Sequence, residues 1–459
     1  MAARKVCLIV DNPLRDLDGL VLLAATLAVQ GVECFLVPMY EQGFDLMGIK
    51  PDLIVSNYIR DNNRDLLVAY KQRGIRVLIL DTEGAAGRVP EDFAEMVARM
   101  SPGELVDAYC VWGDERYAAL KRRAVIPDAR LHLTGCPRFD YCAPRWRNAL
   151  ARVDIDDGFL LFNTNFPLVN PRFVDDSGAE RDTLIRVWKD VEYVDAVLRD
   201  ARTAFDGMLD AVNATAARFP TRQVVVRPHP FESVAAYERV IEQPNVSVRQ
   251  EGTSLQWIAR SSALIHQNCS TAVEATMLDR EPLSLEWLST DALRIKGPGE
   301  VSVPIASQQQ LEDALARILD GSGILAAPEI DRARAAVVGS LFHANDGRSS
   351  ERVAAVILDC LDAPPLQPTG HGESSRGRAI RLARGLLGHP TSARLRDLNA
   401  KRAERVQAKR FSAEQVSSLL QRLAACAAWT LAPMAAPAIP ASCAVPRMCS
   451  GHSVRISCR

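Results

Sequence analysis

A chain of 459 residues is too long for one ordinary core; at roughly 100–200 residues per domain, two or three domains are expected. With 48% apolar residues, 24% charged residues and a formal net charge of −1, the composition is globular and argues against a general polyanion binder, so any ligand must be recognised locally. The eleven cysteines include no Cys-x-x-Cys pair; the first seven sit in apolar segments and read as buried small hydrophobes in a reducing compartment.

From the N-terminus, "VCLIVD" is followed by a helical segment from about Asp16 to Gln30, then "ECFLVP", "DLIVS", a helix through "RDLLVAYKQRG", and "RVLILD". The apolar run before Asp11 is too short for a signal-peptide core, and no later window offers about 18 uninterrupted apolar residues, so a cytoplasmic protein is expected. A helix near Pro90 to Met100, "AYCVWG", a helix from Asp114 to Arg123 and "LHLTG" complete a first series. A second begins at "FLLFNTN", passes through a long helical stretch from about Glu180 to Phe219, and continues with "QVVVRP", "VSVRQ", "ALIHQ" and "LSLEW". Helices near Gln309 to Leu319 and Ser349 to Leu361 are expected to close it.

Continuous apolar strands separated by helices predict parallel sheets covered on both faces. The expected fold is therefore α/β: two doubly wound Rossmann-like domains, residues 1–145 and 146–362, facing each other across a cleft that holds the ligand. A basic, partly helical extension (363–425) and a disordered Ala/Pro/Ser-rich tail (426–459) follow; Cys426, Cys443, Cys449 and Cys458 fall in or beside that tail, with no metal role assigned. Between Arg376 and Arg410 the extension carries eleven basic residues against Asp397 and Glu404. It reads as a solvated charged segment or as an arm with weak affinity for anionic membrane on the inner face of the cytoplasmic membrane.

Three strand ends carry polar groups. In "VVVRPHPFES", three β-branched residues make a buried strand, and Pro228 and Pro230 stiffen the backbone around His229 just beyond Arg227. In "LIHQNCSTAVEA", Asn268, Cys269, Ser270 and Thr271 stand where a helix begins, and the Thr271-to-Glu274 spacing is that of a capping box. The same helix start leaves amides and Ser270 suited to a phosphate. In "LILDTEGAAG", Asp81 and Glu83 follow a strand, as a cap and a solvated acid or as catalytic carboxylates. Together these groups match glycosyl transfer from a nucleotide sugar: fixed donors stabilise the departing phosphate without a metal, while a carboxylate takes the acceptor proton. No cofactor is expected beyond the nucleotide sugar itself, which is a substrate.

"RPHPFES", "EGTSLQWIARSSALIHQNCSTAVEA", "LDTEG", "LTGCPRFD" and "RDLDGLVLLAATLAVQG" resemble the bacterial surface carbohydrate biosynthesis protein family, glycosyltransferases of the GT-B type, over about Lys5 to Leu361. The His-Pro and Ser-Thr elements are also similar to those of sialyltransferases and capsule Kdo transferases, which grip the phosphate of a CMP-sugar. The resemblance implies donor binding by Arg227, His229, Ser254, His266, Asn268, Ser270, Thr271 and Glu274. It implies catalysis by His229 with Glu83 or Asp81, Glu83 being preferred because it projects further from the strand end. Thr82 interrupts the acidic-acidic-Gly pattern of the sialyltransferases. The acceptor implied is a growing polysaccharide or lipopolysaccharide, free or lipid-linked. Other readings are a nucleotide-sugar 2-epimerase, a CDP-glycerol-type phosphotransferase, since teichoic-acid polymerases share an "RPHP"-like element, and a non-catalytic assembly protein. No nucleic acid is expected as a partner.

Overall fold

The computed structural model describes residues 4–81, 89–173, 177–295, 297–324, 328–369, 400–429, 447–448 and 453–457. Two compact units divide the chain: Met1–Ala151 with Gly339–Arg459, and Arg152–Val338. The second is thus an uninterrupted insertion into the first.

The first unit is built on β1 (Lys5–Val10), β2 (Glu33–Pro38), β3 (Leu53–Ser56), β4 (Arg76–Leu80), β5 (Ala108–Val111) and β6 (Leu131–Leu133). These pair in parallel in the order β2-β1-β3-β4-β5-β6, with the strand order reversing between β1 and β3. The strands are buried on both faces, as their unbroken apolar runs require. Asn12 caps the helix Pro13–Val29 by accepting from the Leu14 amide at 3.1 Å, and Pro13 supplies the fixed φ suited to a first turn.

The second unit contains β7 (Leu160–Asn163), β8 (Val224–Arg227), β9 (Val246–Val248), β10 (Ala263–His266), β11 (Glu281–Leu285) and β12 (Val303–Ile305). Their order, β9-β8-β7-β10-β11-β12, is all parallel and is the Rossmann order, reversing between β7 and β10. The fold is therefore α/β with two doubly wound Rossmann-like units, as expected. β12 was not legible as a strand because Pro304 sits in it; at the sheet edge that proline costs no ladder bond between two neighbours. The long helical stretch is two helices, Ser177–Trp188 and Val191–Arg218, separated where Lys189 adopts φ +57° and Asp190 caps the second by accepting from Tyr193 N.

Three expectations about the C-terminal part are corrected. The helix Ser349–Asp362 closes the first unit: it packs against Pro13–Val29, and buried Asp140 accepts from the amides of Ser349 and Ser350, each at 2.8 Å, and from the Ser350 hydroxyl at 2.6 Å. A side chain on Gly113 would collide with the Ser340 and Leu341 backbone, so the returning chain fits there only against glycine. Trp112, Phe139 and Phe342 seal that return, the two phenyl rings lying 4.4 Å apart edge-to-face.

The basic extension is not wholly a solvated arm. Lys409 is buried and ion-paired to Asp11 at 2.8 Å, and Arg410 pairs with buried Glu41 at 2.9 Å. Beyond them the helix Ala413–Trp429 buries Val416, Leu419, Leu420 and Leu423 in the first unit. Residues 376–399 of the extension lie outside the described residues. Nor is the tail wholly disordered: β13 (Arg447–Met448) pairs with β14 (Val454–Ile456), which adds antiparallel to β2, burying Val454 and Ile456. The edge of β2 is thereby covered, which the short polar tail sequence gave no period to announce.

Seven of the eight described cysteines are buried and Cys360 is half-buried; Cys443, Cys449 and Cys458 lie outside the described residues. No helix among the described residues is long and apolar enough to cross a membrane.

Candidate functional site

Parallel pairing puts four residues in one row across the second sheet. Asn163 of β7 is in register with Arg227 of β8 on one side and His266 of β10 on the other, and His266 with Ser284 of β11. All four stand at or near carboxyl ends of strands, and Asn163 and His266 flank the point where strand order reverses, the place where open α/β sheets bind ligands. Two of the three polar strand ends read from the sequence, those of β8 and β10, thus flank the end of β7.

The turn after β8 is held by groups the sequence reading did not select. Glu232, fully buried, accepts from the His229 amide at 2.9 Å and from the Thr164 hydroxyl at 3.0 Å, and the Tyr237 hydroxyl also donates to it. Burial pushes its carboxyl above the usual range, opposed by the donors from Tyr237, His229, Phe166 and Thr164. Gln250 donates to the carbonyls of His229 (2.8 Å) and Glu232 (3.1 Å). The half-buried His229 ring accepts from the Phe231 amide at Nδ1, 3.2 Å away. That bond places the ring proton on Nε2, which makes Nε2 a donor fixed by a stiff backbone.

Arg227 is differently used than expected. Its terminal nitrogens donate to the carbonyls of Glu251 (2.7 Å) and Gly252 (2.6 Å), and its guanidinium lies 5.9 Å from the Trp257 ring centroid. Burial pushes its pKa down to about 10 against the pull of Glu251 and Glu274. The residue fixes the loop after β9.

His266 is fully buried, and desolvation lowers its pKa to about 3, so the ring is neutral at neutral pH. Nδ1 accepts from the Cys269 amide at 3.2 Å; Nε2 therefore donates to Ser302 Oγ at 2.8 Å, which passes its own proton to the Pro298 carbonyl at 2.6 Å. Asn268, at φ +55°, donates to the Leu293 carbonyl and accepts from the Ile295 amide at 3.0 Å, tying a second loop to this strand end.

The capping box expected between Thr271 and Glu274 does not form. The helix Thr271–Met277 has no side-chain cap: the Thr271 hydroxyl reaches Cys269 Sγ at 3.0 Å, and buried Glu274 accepts from the Ser254 hydroxyl at 2.6 Å. Ser254 and Glu274 therefore join two helices. Thr253 and Gln256 form a capping box instead, on the helix Ser254–Ile258. Ser270 is exposed beside this strand end.

Asn163 completes the row. It is 3% exposed, and its Oδ1 is buried with no hydrogen-bond partner among the described residues. An orphaned acceptor at a switch point calls for an explanation, and a ligand donor supplies one. Its signal was present in "FLLFNTN", an apolar strand ending in polar residues, the same pattern that singled out the neighbouring strands.

Asp81 directly follows β4 in the first unit, 3% exposed and 3.6 Å from Arg116 Nη1; Arg116 also lies over the Phe93 ring. Desolvation lowers the Arg116 pKa and Asp81 opposes that shift. Glu83 lies outside the described residues. The Asp-x-Asp spacings at Asp16 and Asp154 are tied to Arg15 (2.7 Å) and Arg249 (3.5 Å), and no three metal-capable side chains converge among the described residues.

No family model matches the chain and no curated protein matches it. Among solved structures it is similar to the UDP-GlcNAc 2-epimerase of Methanocaldococcus jannaschii in complex with UDP-GlcNAc and UDP, at 12% identity over 77% of this chain and 99% of that one, TM-score 0.47. The UDP-GlcNAc 2-epimerase of Neisseria meningitidis bound to UDP-GlcNAc matches at 11% identity, over 77% and 100%, TM-score 0.44. The wall teichoic acid polymerase TagF matches at 8% identity, over 78% and 90%, TM-score 0.47. Likeness at this level carries neither substrate nor reaction to this chain.

Proposed function

We propose that the chain is a glycosyltransferase that moves a sugar from a nucleotide-activated donor to a surface polysaccharide or lipopolysaccharide acceptor. The observation that carries this reading is the switch point of the second unit, where the fixed Nε2 donor of His229 and the orphaned Oδ1 of Asn163 belong to neighbouring strand ends. A departing nucleotide phosphate needs a preorganised donor such as the first; ribose or base N–H and O–H groups satisfy an acceptor such as the second. The acceptor proton goes to Glu83, with Asp81 engaged by Arg116.

A thermal-shift series with CMP, CDP, UDP and GDP identifies the nucleotide, since a ligand at 100 times its Kd stabilises by about 2.7 kcal/mol. CMP is the first to test, on the resemblance of the His-Pro and Ser-Thr elements. Nucleotide release from the matching donor, with and without a glycan acceptor, then tests the reaction. Acceptor-dependent release supports transfer. Acceptor-independent change of sugar stereochemistry would make the chain an epimerase, transfer of phosphoglycerol from CDP-glycerol a phosphotransferase, and absence of nucleotide binding an assembly protein.

A further inference from the structure

The first unit carries a cavity of about 790 Å³ that the proposed reaction does not use. It opens at the amino ends of β1, β3 and β4, where Arg4, Asp52 and Arg76 stand, the end of the sheet opposite that used by α/β ligand sites. Apolar walls come from Leu46, Ile75, Leu361 and Leu366. The charge around them is one-sided: Arg4, Lys50, Arg73 and Arg76 line the cavity, against Asp52 as the acid in the lining.

These cations are not equally committed. Arg76 is buried and donates to the carbonyls of Cys360, Ala363 and Pro364, which fixes the segment after the last helix of the wall. Arg4 pairs with Asp362, and Asp52 accepts from the Lys5 amide at 2.8 Å. Lys50 and Arg73 are exposed, Arg73 donating to the Ala69 carbonyl of its own helix at 3.1 Å. Tyr70, also in the lining, is 2% exposed, and its hydroxyl is buried with no hydrogen-bond partner among the described residues. A buried phenol in that condition sacrifices its hydration without return, unless a bound group takes up its bond.

We propose that this cavity is a binding site for an amphiphilic anion, a phosphate or carboxylate on an apolar body, with Lys50 and Arg73 meeting the charge and Tyr70 taking up a polar group of the ligand. The apolar walls hold the body. The site is independent of the nucleotide reading and stands or falls apart from it.

Calorimetric titration of the full chain with hexyl phosphate, hexanoate, inorganic phosphate and 1-hexanol tests the assignment. Saturable one-to-one binding of hexyl phosphate or hexanoate is expected, at least about tenfold tighter than inorganic phosphate or hexanol, because charge and apolar body are both read. The tighter of the two names the head group. Lys50→Gln with Arg73→Gln should weaken that binding by about tenfold or more, both side chains being exposed and dispensable to folding. Tyr70→Phe should weaken it about fivefold while leaving the melting temperature of the free chain unchanged or higher, since it removes an unpaired hydroxyl. Hexanol binding as tightly as the anions, neither anion binding, or unchanged affinity in the double variant would overturn the site.

Discussion

The tautomer and backbone of His229, on which its proposed role depends, are settled by Phe231, Glu232 and Gln250. Replacing the ring alone removes one preorganised donor, which typically costs about 2.7–4 kcal/mol in the transition state. His229→Ala should therefore slow nucleotide release roughly a hundredfold or more with an unchanged circular dichroism spectrum; full activity in the variant would remove the residue from the chemistry. His266 makes a different statement, about pH. Its pKa falls from 6.5 to about 3 on folding, so the unfolded chain binds the extra proton throughout that window. Stability is complete above pH 6.5 and declines as pH falls toward 3, with a slope approaching about 1.4 kcal/mol per pH unit. Denaturant unfolding at a series of pH values should show that decline, and His266→Gln should flatten it.

At the scale of elements, the C-terminal helix Ala413–Trp429 is tied to the first sheet through Lys409 and Asp11 as well as through its leucines. Burial works to raise the Asp11 pKa, but Lys409 and Arg15 outweigh it and hold the carboxyl below its usual range. Removing the lysine leaves Asp11 with Arg15 and a lost neighbour. Lys409→Met should lower the unfolding free energy of the first unit by about 3 kcal/mol, and adding Asp11→Asn should recover part of it. Additive losses in a double-mutant cycle would show that the pair does not act as one. The folded pKa of Asp11 being depressed, this contribution is present above pH 3.8 and lost as pH falls through the folded value, which the pH dependence of the same cycle measures.

The whole molecule is an insertion: the chain leaves the first unit at Ala151 and re-enters it at Gly339. The row Arg227, Asn163, His266 and Ser284, with its supporting loops, belongs entirely to the inserted unit. A fragment of Arg152–Val338 should therefore fold alone and keep the nucleotide affinity of the full chain within about tenfold, read by calorimetry with whichever nucleotide stabilises that chain. A folded fragment without affinity would move the nucleotide contacts elsewhere. The fragment lacking the helix Ser349–Asp362 is a sharper test of the division than one ending at 362, because that helix is clasped by Asp140 of the first unit.

Local pattern alone carried eleven of the fourteen strands among the described residues, since an unbroken run such as "VCLIV" or "VVV" has to be buried on both faces of a parallel sheet whatever its neighbours are. It also placed His229 on a stiffened strand end, because the two prolines act on the backbone beside them. What lies across the fold had no such signature. The Thr271–Glu274 spacing fits a capping box, yet Glu274 faces Ser254 once the two helices pack, and tertiary contact decides between two bonds of similar strength. Arg227 looks like a phosphate donor until the loop after β9 brings two carbonyls to it. Glu232 is an ordinary letter in the sequence and Asn163 one polar strand end among several; burial makes the first the centre of a turn and leaves the second an unpaired acceptor. The return of the C-terminal segment is likewise a matter of surfaces: Lys409 and Val454 find partners hundreds of residues away, at Asp11 and on β2, where no local period could have pointed. The sequence determined elements and strand ends, because these follow from neighbouring residues; packing determined which polar groups remain for a ligand, because that depends on what every other group has already bonded.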